Sequence, residues 1–302
     1  MKFRPPVAIL TSAFFANYQV LVARIFGRKR LGATWEFESQ GVIWRLIPVS
    51  GGMLAGEERN IETKTASFFC VNHSGMLWRG KSYGEQWWTG IEAAHRGVLF
   101  LHGYATPDLP GRKGITAVDC VTGQVLWKNA DVTFLSAAEG NVYASSEALG
   151  GPIVLSLEHR AGGDGEEIGR GEEAARRVPS GEDETPGVTF PRVLSGGESG
   201  PDAELAARVA ASAAEGFPVE FAGDELYVIV SYFSHEPRPR DAQRPYRQEL
   251  RVVERTGGAT VHGTTLDPAV AVPRFGAFLL MEGLLLFVRG GKTLTAIPLR
   301  GK

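Results

Sequence analysis

Glycoside hydrolysis requires two carboxylates facing one substrate. The densest candidate in this chain is Gly56-Glu57-Glu58-Arg59-Asn60, with Glu147, Asp224 and Glu225 further along. On a strand, successive side chains point to opposite faces, so Glu57 and Glu58 cannot both reach one substrate. Beside Arg59 they read instead as ion-pair partners. The six histidines are His73, His95, His102, His159, His235 and His262. None falls in a His-x-His, His-x3-His or Cys-His spacing that would hold a metal. A nucleophile elbow, a P-loop and a dinucleotide glycine fingerprint are also missing from the sequence. No metal and no cofactor are expected. The two cysteines, Cys70 and Cys120, each precede a tryptophan and read as small buried hydrophobes. A disulfide between neighbouring sheets is the less favoured alternative.

The elements that must position these residues are short strands. Apolar runs bounded by glycine and polar turns fall at residues 41–49, 53–59, 67–72, 75–80, 97–104, 115–120, 124–129, 132–137, 141–146 and 153–158. They resume at 219–222, 225–232, 249–255, 259–264, 277–281, 284–289 and 293–299. Residues 161–201 between the two series are rich in Gly, Glu and Arg, with too little apolar surface to offset ordering entropy. Residues 202–214 are alanine-rich and read as a helix, capped by Ser199 or Asp202 and ended by Gly216. The stretch 161–216 is therefore expected to be a disordered-to-helical insertion in a β domain spanning 34–302, after an extension at 1–33. Within that extension, the apolar run at 7–16 is too short to span a bilayer. The same run at 7–16 has the length of a signal-peptide core, but no good cleavage site follows. The net charge of −2 gives no reason to expect a nucleic acid partner.

Three stretches rhyme: Gly41-Val42-Ile43-Trp44-Arg45, Gly75-Met76-Leu77-Trp78-Arg79 and Gly123-Gln124-Val125-Leu126-Trp127-Lys128. A repeated strand-turn-strand unit that cannot bury its apolar face alone implies stacked units, as in the blades of a propeller. The third copy has the fullest lead-in, Ala117-Val118-Asp119-Cys120-Val121-Thr122-Gly123. With Trp127 it resembles the repeat of pyrroloquinoline-quinone-type propellers, Ala-x-Asp-x-x-Thr-Gly-x-x-x-Trp. Asp119 and Gly123 are then turn residues, and Trp44, Trp78 and Trp127 pack between blades. A degenerate copy carries His262 in the tryptophan position. The layout from Trp44 through Trp87-Trp88 to the C-terminus also resembles a small bacterial propeller family of uncharacterised function. That resemblance implies an all-β single propeller inside a bacterial cell, and brings no activity with it. If residues 1–16 target the chain, the periplasm or envelope is the alternative.

Counting strands in fours gives five blades, the last lacking one strand. Residues 41–47 are expected to supply it by pairing with 293–299, which would join the chain ends and remove two sheet edges. In such a ring the loops after the second strand of each blade open on one face. That face would carry Glu58, Arg59, His102, Tyr104, Tyr232, His235 and Arg289, together with an arginine-rich loop over 234–247. Of the Trp87-Trp88 pair, one ring is expected in the core and the other between blades. The favoured function is a non-catalytic, monomeric binding or scaffold module for an unknown protein or small-molecule ligand. The alternatives are a glycosidase-like hydrolase at the axial funnel and an envelope assembly factor.

Overall fold

The computed structural model describes residues 30–106, 109–160, 165–179, 187–235, 246–270 and 275–300. The apolar run at 7–16 and the loop arginines Arg238, Arg240 and Arg244 lie outside the described residues.

The protein is all-β. Its strands are β1 (Trp35–Glu38), β2 (Val42–Val49), β3 (Met53–Asn60), β4 (Thr65–Asn72), β5 (Gly75–Lys81), β6 (Gly90–His95), β7 (Val98–Thr106), β8 (Leu109–Asp119), β9 (Val125–Asn129), β10 (Val132–Ala138), β11 (Asn141–Ala148) and β12 (Gly151–Glu158). They continue as β13 (Glu167–Arg170), β14 (Val188–Thr189), β15 (Arg192–Val193), β16 (Glu220–Gly223), β17 (Tyr227–His235), β18 (Tyr246–Glu254), β19 (Thr260–Val270), β20 (Phe278–Met281), β21 (Leu284–Arg289) and β22 (Thr293–Pro298). Among the described residues two short helices, α1 (Glu172–Arg176) and α2 (Pro201–Val209), interrupt them.

These strands form five antiparallel sheets, each built mainly from consecutive strands. Sheet I is β2-β3-β4-β5, sheet II is β6-β7-β8-β9 and sheet III is β10-β11-β12-β13. Sheet IV is β15-β16-β17-β18-β19, and sheet V is β14-β20-β21-β22-β1. The middle strands are buried on both faces, which is why β4 reads Phe68-Phe69-Cys70-Val71 without alternation. Apolar clusters join III to II, II to I, I to V and V to IV. The other face of sheet IV packs on α2, through Leu205, Ala206, Phe221, Val230 and Tyr232.

An N-terminal strand does pair with the last strand of the chain, but it is β1. Trp35 lies opposite Ala296 and Glu38 opposite Thr293. Residues 41–47 instead begin sheet I, with Arg45 opposite Glu57, so the expected pairing with 293–299 is corrected. A single backbone bond from β2 reaches the turn before β22, from Ile43 N–H to Gly291 O at 2.8 Å, outside that expected segment. The physical reason lies in the turn after β2. Gly51 and Gly52, both at positive φ, fold β2 straight back onto β3 and commit it to that partner.

The described residues of the insertion hold more regular structure than its composition suggests. Residues 167–170 form the fourth strand of sheet III, pairing Leu155 with Arg170. A strand edge needs hydrogen-bond partners, and a polar sequence supplies them as well as an apolar one. β14 and β15 extend the first strands of sheets V and IV in the same way. Helix α2 starts at Pro201 after Gly200, with no side-chain cap, and ends at Val209 with Ala210 as its C-cap, short of Gly216. Asp202 is used elsewhere, in an ion pair with Arg255 at 2.5 Å.

Candidate functional site

The outer tryptophans define a repeated joint. Trp127, on β9, is 1% exposed and donates from Nε1 to His159 O at 2.9 Å. Trp78, on β5, donates to Cys120 O at 2.8 Å. Trp35, on β1, donates to His73 O at 3.2 Å. Each acceptor is the first residue after the third strand of the next sheet. A large apolar ring thereby fills the gap between sheets while its one polar atom finds a partner.

The turn beneath Trp78 explains the Asp-x-x-Thr-Gly signature. Asp119 Oδ1 accepts from Val121 N–H at 3.0 Å, Thr122 N–H at 2.9 Å and Thr122 Oγ1 at 3.0 Å. Burial raises the Asp119 pKa, but the Thr122 hydrogen bonds and Arg160 outweigh it and hold the carboxyl below its ordinary value. Gly123 has φ +64°, and a Cβ there would stand 2.7 Å from the Trp78 ring. Backbone conformation and the close approach of that ring both demand glycine.

Trp44 does not belong to this set. It lies on β2, the first strand of sheet I, and is 65% exposed. Trp35 takes the bridging role, and the sequence rhyme missed it because no glycine-apolar run precedes it.

Of the residues expected on one binding face, Glu58, Arg59, His102 and Tyr104 lie near the junction of sheets I and II. Arg59 donates from Nε to Glu57 Oε1 at 2.5 Å and from Nη1 to Trp87 O at 2.8 Å. Its guanidinium lies 5.7 Å from the Trp44 ring centroid and 5.0 Å from that of Trp87. Glu57 Oε2 accepts from Ile91 N–H at 2.9 Å, tying β3 to β6. Glu58 points the other way and accepts from Ser39 and Ser67 hydroxyls at 2.5 and 2.7 Å. Glu57 and Glu58 therefore do diverge, each consumed by structural bonds.

His102 Nδ1 lies 2.8 Å from Glu92 Oε2, an ion-pair distance reached off the line of a straight hydrogen bond. Arg112 Nη1 donates to the other Glu92 oxygen at 2.7 Å. Burial pushes the Glu92 carboxyl up, but His102 and Arg112 together outweigh it and leave the pKa lowered. Tyr104 stacks edge-on against His102 and Trp88, with centroids 5.3 and 5.6 Å apart. Neither ring of the tryptophan pair is in the core. Trp87 lies under Arg59 and Lys64, and Trp88 is partly open to solvent. The long side chains of the polar strand ends cover them, which is a cheaper place for an amphipathic ring than the core.

The remaining three are placed elsewhere. Tyr232 is buried against α2. His235 packs on Tyr246, centroids 4.9 Å apart. Arg289 donates to Glu36 Oε1 at 2.6 Å.

Trp44 instead joins a cavity of about 390 Å³ that sequence reasoning did not find. Ile43, Trp44, Arg45 and Leu46 of β2 form one wall, and Phe275 to Leu279 with β21 form another. Phe190, on the turn between β14 and β15, completes it. Trp44, Phe190 and Phe275 are 65%, 59% and 68% exposed. Arg45 lines the cavity and is anchored by donating to Ile91 O at 2.7 Å. Behind the other wall, buried Glu220 accepts from Gly276 and Ala277 N–H at 2.6 and 3.2 Å. Burial raises its pKa against those two bonds. The signal in the sequence was an aromatic residue close to the start of a first strand, at Trp44 and Phe275. Phe190 had none, since it arrives on the insertion.

A family model described as "Domain of unknown function (DUF4905)" matches residues 49–127, about a quarter of the chain. No curated protein matches it. Among solved structures, the WD40 beta propeller domain of Doa1 aligns at 10% identity over 89% of this chain and 96% of that one, with a TM-score of 0.22. A bifunctional GH43-CE protein from Bacteroides eggerthii aligns at 12% identity over 91% of this chain and 35% of its own, with a TM-score of 0.23. Superpositions this loose carry no argument about fold or activity. Among the described residues no helix is long and apolar enough to cross a membrane.

Proposed function

We propose that the five sheets are the blades of a single β-propeller, and that the chain is a non-catalytic binding module. The meandering sheets, their serial packing and the tryptophan joint repeated at three successive junctions support the propeller reading. The joint at Asp119, Gly123 and Trp127 fits the quinoprotein-type repeat that its sequence resembles. A bacterial cell interior rests on the family resemblance alone, and the module is taken to be a monomer.

One observation carries the binding reading: three exposed aromatic rings from separate segments converge on one cavity. Its volume suits a small molecule rather than a protein surface. The ligand class it fits is a flat apolar body that stacks on the three rings. Anilinonaphthalene sulfonate has that chemistry and fluoresces when sheltered from water. The folded protein should bind it saturably, and Trp44→Ala with Phe275→Ala should weaken binding about tenfold, the worth of roughly 1.4 kcal/mol of ring contact. Equal binding by the double variant, or none by the wild type, would overturn the assignment.

A further inference from the structure

A second cleft, of about 610 Å³, lies between α2 and sheet IV and shares no lining residue with the aromatic cavity. Leu205, Arg208 and Val209 fall on one face of α2 and form one wall. Opposite them are Arg251, on β18, Arg255, just past the end of that strand, and Tyr232, on β17. Tyr232 is paired with Glu249, two residues before Arg251, so Tyr232 and Arg251 share a face of the sheet. Gly257 and Gly258, both at positive φ in the turn to β19, line the cleft without a side chain to fill it. Three arginines therefore line this space, and no acidic side chain does among the described lining residues.

The inner two arginines are braced from behind. Arg255 donates from Nη2 to Asp202 Oδ2 at 2.7 Å and from Nε to Asp224 O at 2.5 Å. Arg251 uses Nη1 alone, donating to Glu249 Oε2 at 3.1 Å and to Leu250 O at 3.0 Å. Its Nε and Nη2 carry no hydrogen bond to the described residues. Arg208 suits the negative end of the α2 dipole, yet it is exposed and has no ion-pair or hydrogen-bond partner among the described residues. Tyr232 is only 6% exposed, and its hydroxyl also has no partner among them. A phenol buried to that degree ordinarily hydrogen-bonds, and this one lines the cleft.

We propose that this cleft is a binding site for phosphate monoesters of small organic molecules. Asp202 and Glu249 each offset one inner arginine, while Arg208 adds a positive charge that no described acid offsets. A monocarboxylate would serve a single guanidinium fork. A phosphate monoester carries nearly two charges and three acceptor oxygens, enough for Arg208, the open edge of Arg251 and the Tyr232 hydroxyl together. Leu205 and Val209 then receive the organic body. Because Arg251 and Arg255 are already held in place, binding has chiefly Arg208 to order.

The test titrates phenyl phosphate into the intact chain by calorimetry, beside inorganic phosphate and benzoate. Phenyl phosphate should bind saturably, more tightly than the other two, and more weakly as salt rises. Arg208→Gln should weaken it about tenfold and Tyr232→Phe about fivefold. Arg208 has no partner to lose, so its variant should melt with the wild type. No saturable binding by the wild type, or unchanged affinity in either variant, would overturn the proposal. Benzoate binding as tightly as phenyl phosphate would rule out phosphate as the recognised group, and inorganic phosphate doing so would rule out the contact with Leu205 and Val209. Trp44→Ala with Phe275→Ala should bind phenyl phosphate as the wild type does, so this site and the aromatic cavity can fail separately.

Discussion

Trp127 and Trp44 occupy closely similar sequence contexts and opposite surroundings. Trp127 ends sheet II, lies between two sheets, and satisfies its indole on a carbonyl of the next one. Trp44 begins sheet I, faces an open cavity, and has a guanidinium near its ring. The difference shows that a tryptophan in this fold is structural or available for binding according to which strand of the sheet carries it. A last strand has a neighbouring sheet to pack against. A first strand at the cavity has none over Trp44, and the ring stays exposed.

The largest effect should come from breaking the buried member. Trp127→Ala leaves a cavity between sheets II and III and should cost about 4 kcal/mol in urea unfolding. A loss no larger than that of Trp44→Ala would erase the distinction. Next comes the turn that one such ring packs upon. Gly123→Ala should cost about 2 kcal/mol, from positive φ and from displacement of the Trp78 ring. Its thermal unfolding should resemble that of a Trp78 variant if the turn and the ring act as one unit.

A smaller effect should depend on pH. The folded pKa of Asp119 is depressed, so its contribution is present above the unfolded pKa and lost as pH falls through the folded value. Asp119→Asn should therefore cost about 1 kcal/mol near neutrality, and its urea midpoint should converge on the wild type as pH falls through the depressed folded value. A constant gap across that range would mean the carboxylate charge is irrelevant to the turn. Glu92 has the same sign and is held by His102 and Arg112, so acid should loosen the cluster joining β6, β7 and β8 within sheet II by the same logic. The smallest effect on stability belongs to Trp44→Ala. It should change folding free energy by under about 0.5 kcal/mol while weakening dye binding. Destabilisation comparable to that of Trp127→Ala would show Trp44 to be a packing residue after all.

Much of this was legible from local sequence. Asp119, Thr122 and Gly123 announced their turn because the hydrogen bonds that make it span only a few residues. The divergence of Glu57 and Glu58 followed from strand geometry alone. Trp35 was not legible, because its role depends on β1 pairing with β22 from the far end of the chain. Phe190 was hidden by the polar composition around it, and its place depends on β14 and β15 finding the free edges of two sheets. Tyr232, His235 and Arg289 matched one another by strand position, yet α2, Tyr246 and Glu36 each claimed one of them.

The sequence by itself determined most of the strands, their turns and the β class, because periodicity and turn chemistry act over a few neighbouring residues. Tertiary structure alone decided which strand completes sheet V, which tryptophans are buried, and that two distant cysteines share one apolar cluster. Those outcomes depend on contacts between residues far apart in the chain, and local pattern carries no information about which sheet edge a strand will find.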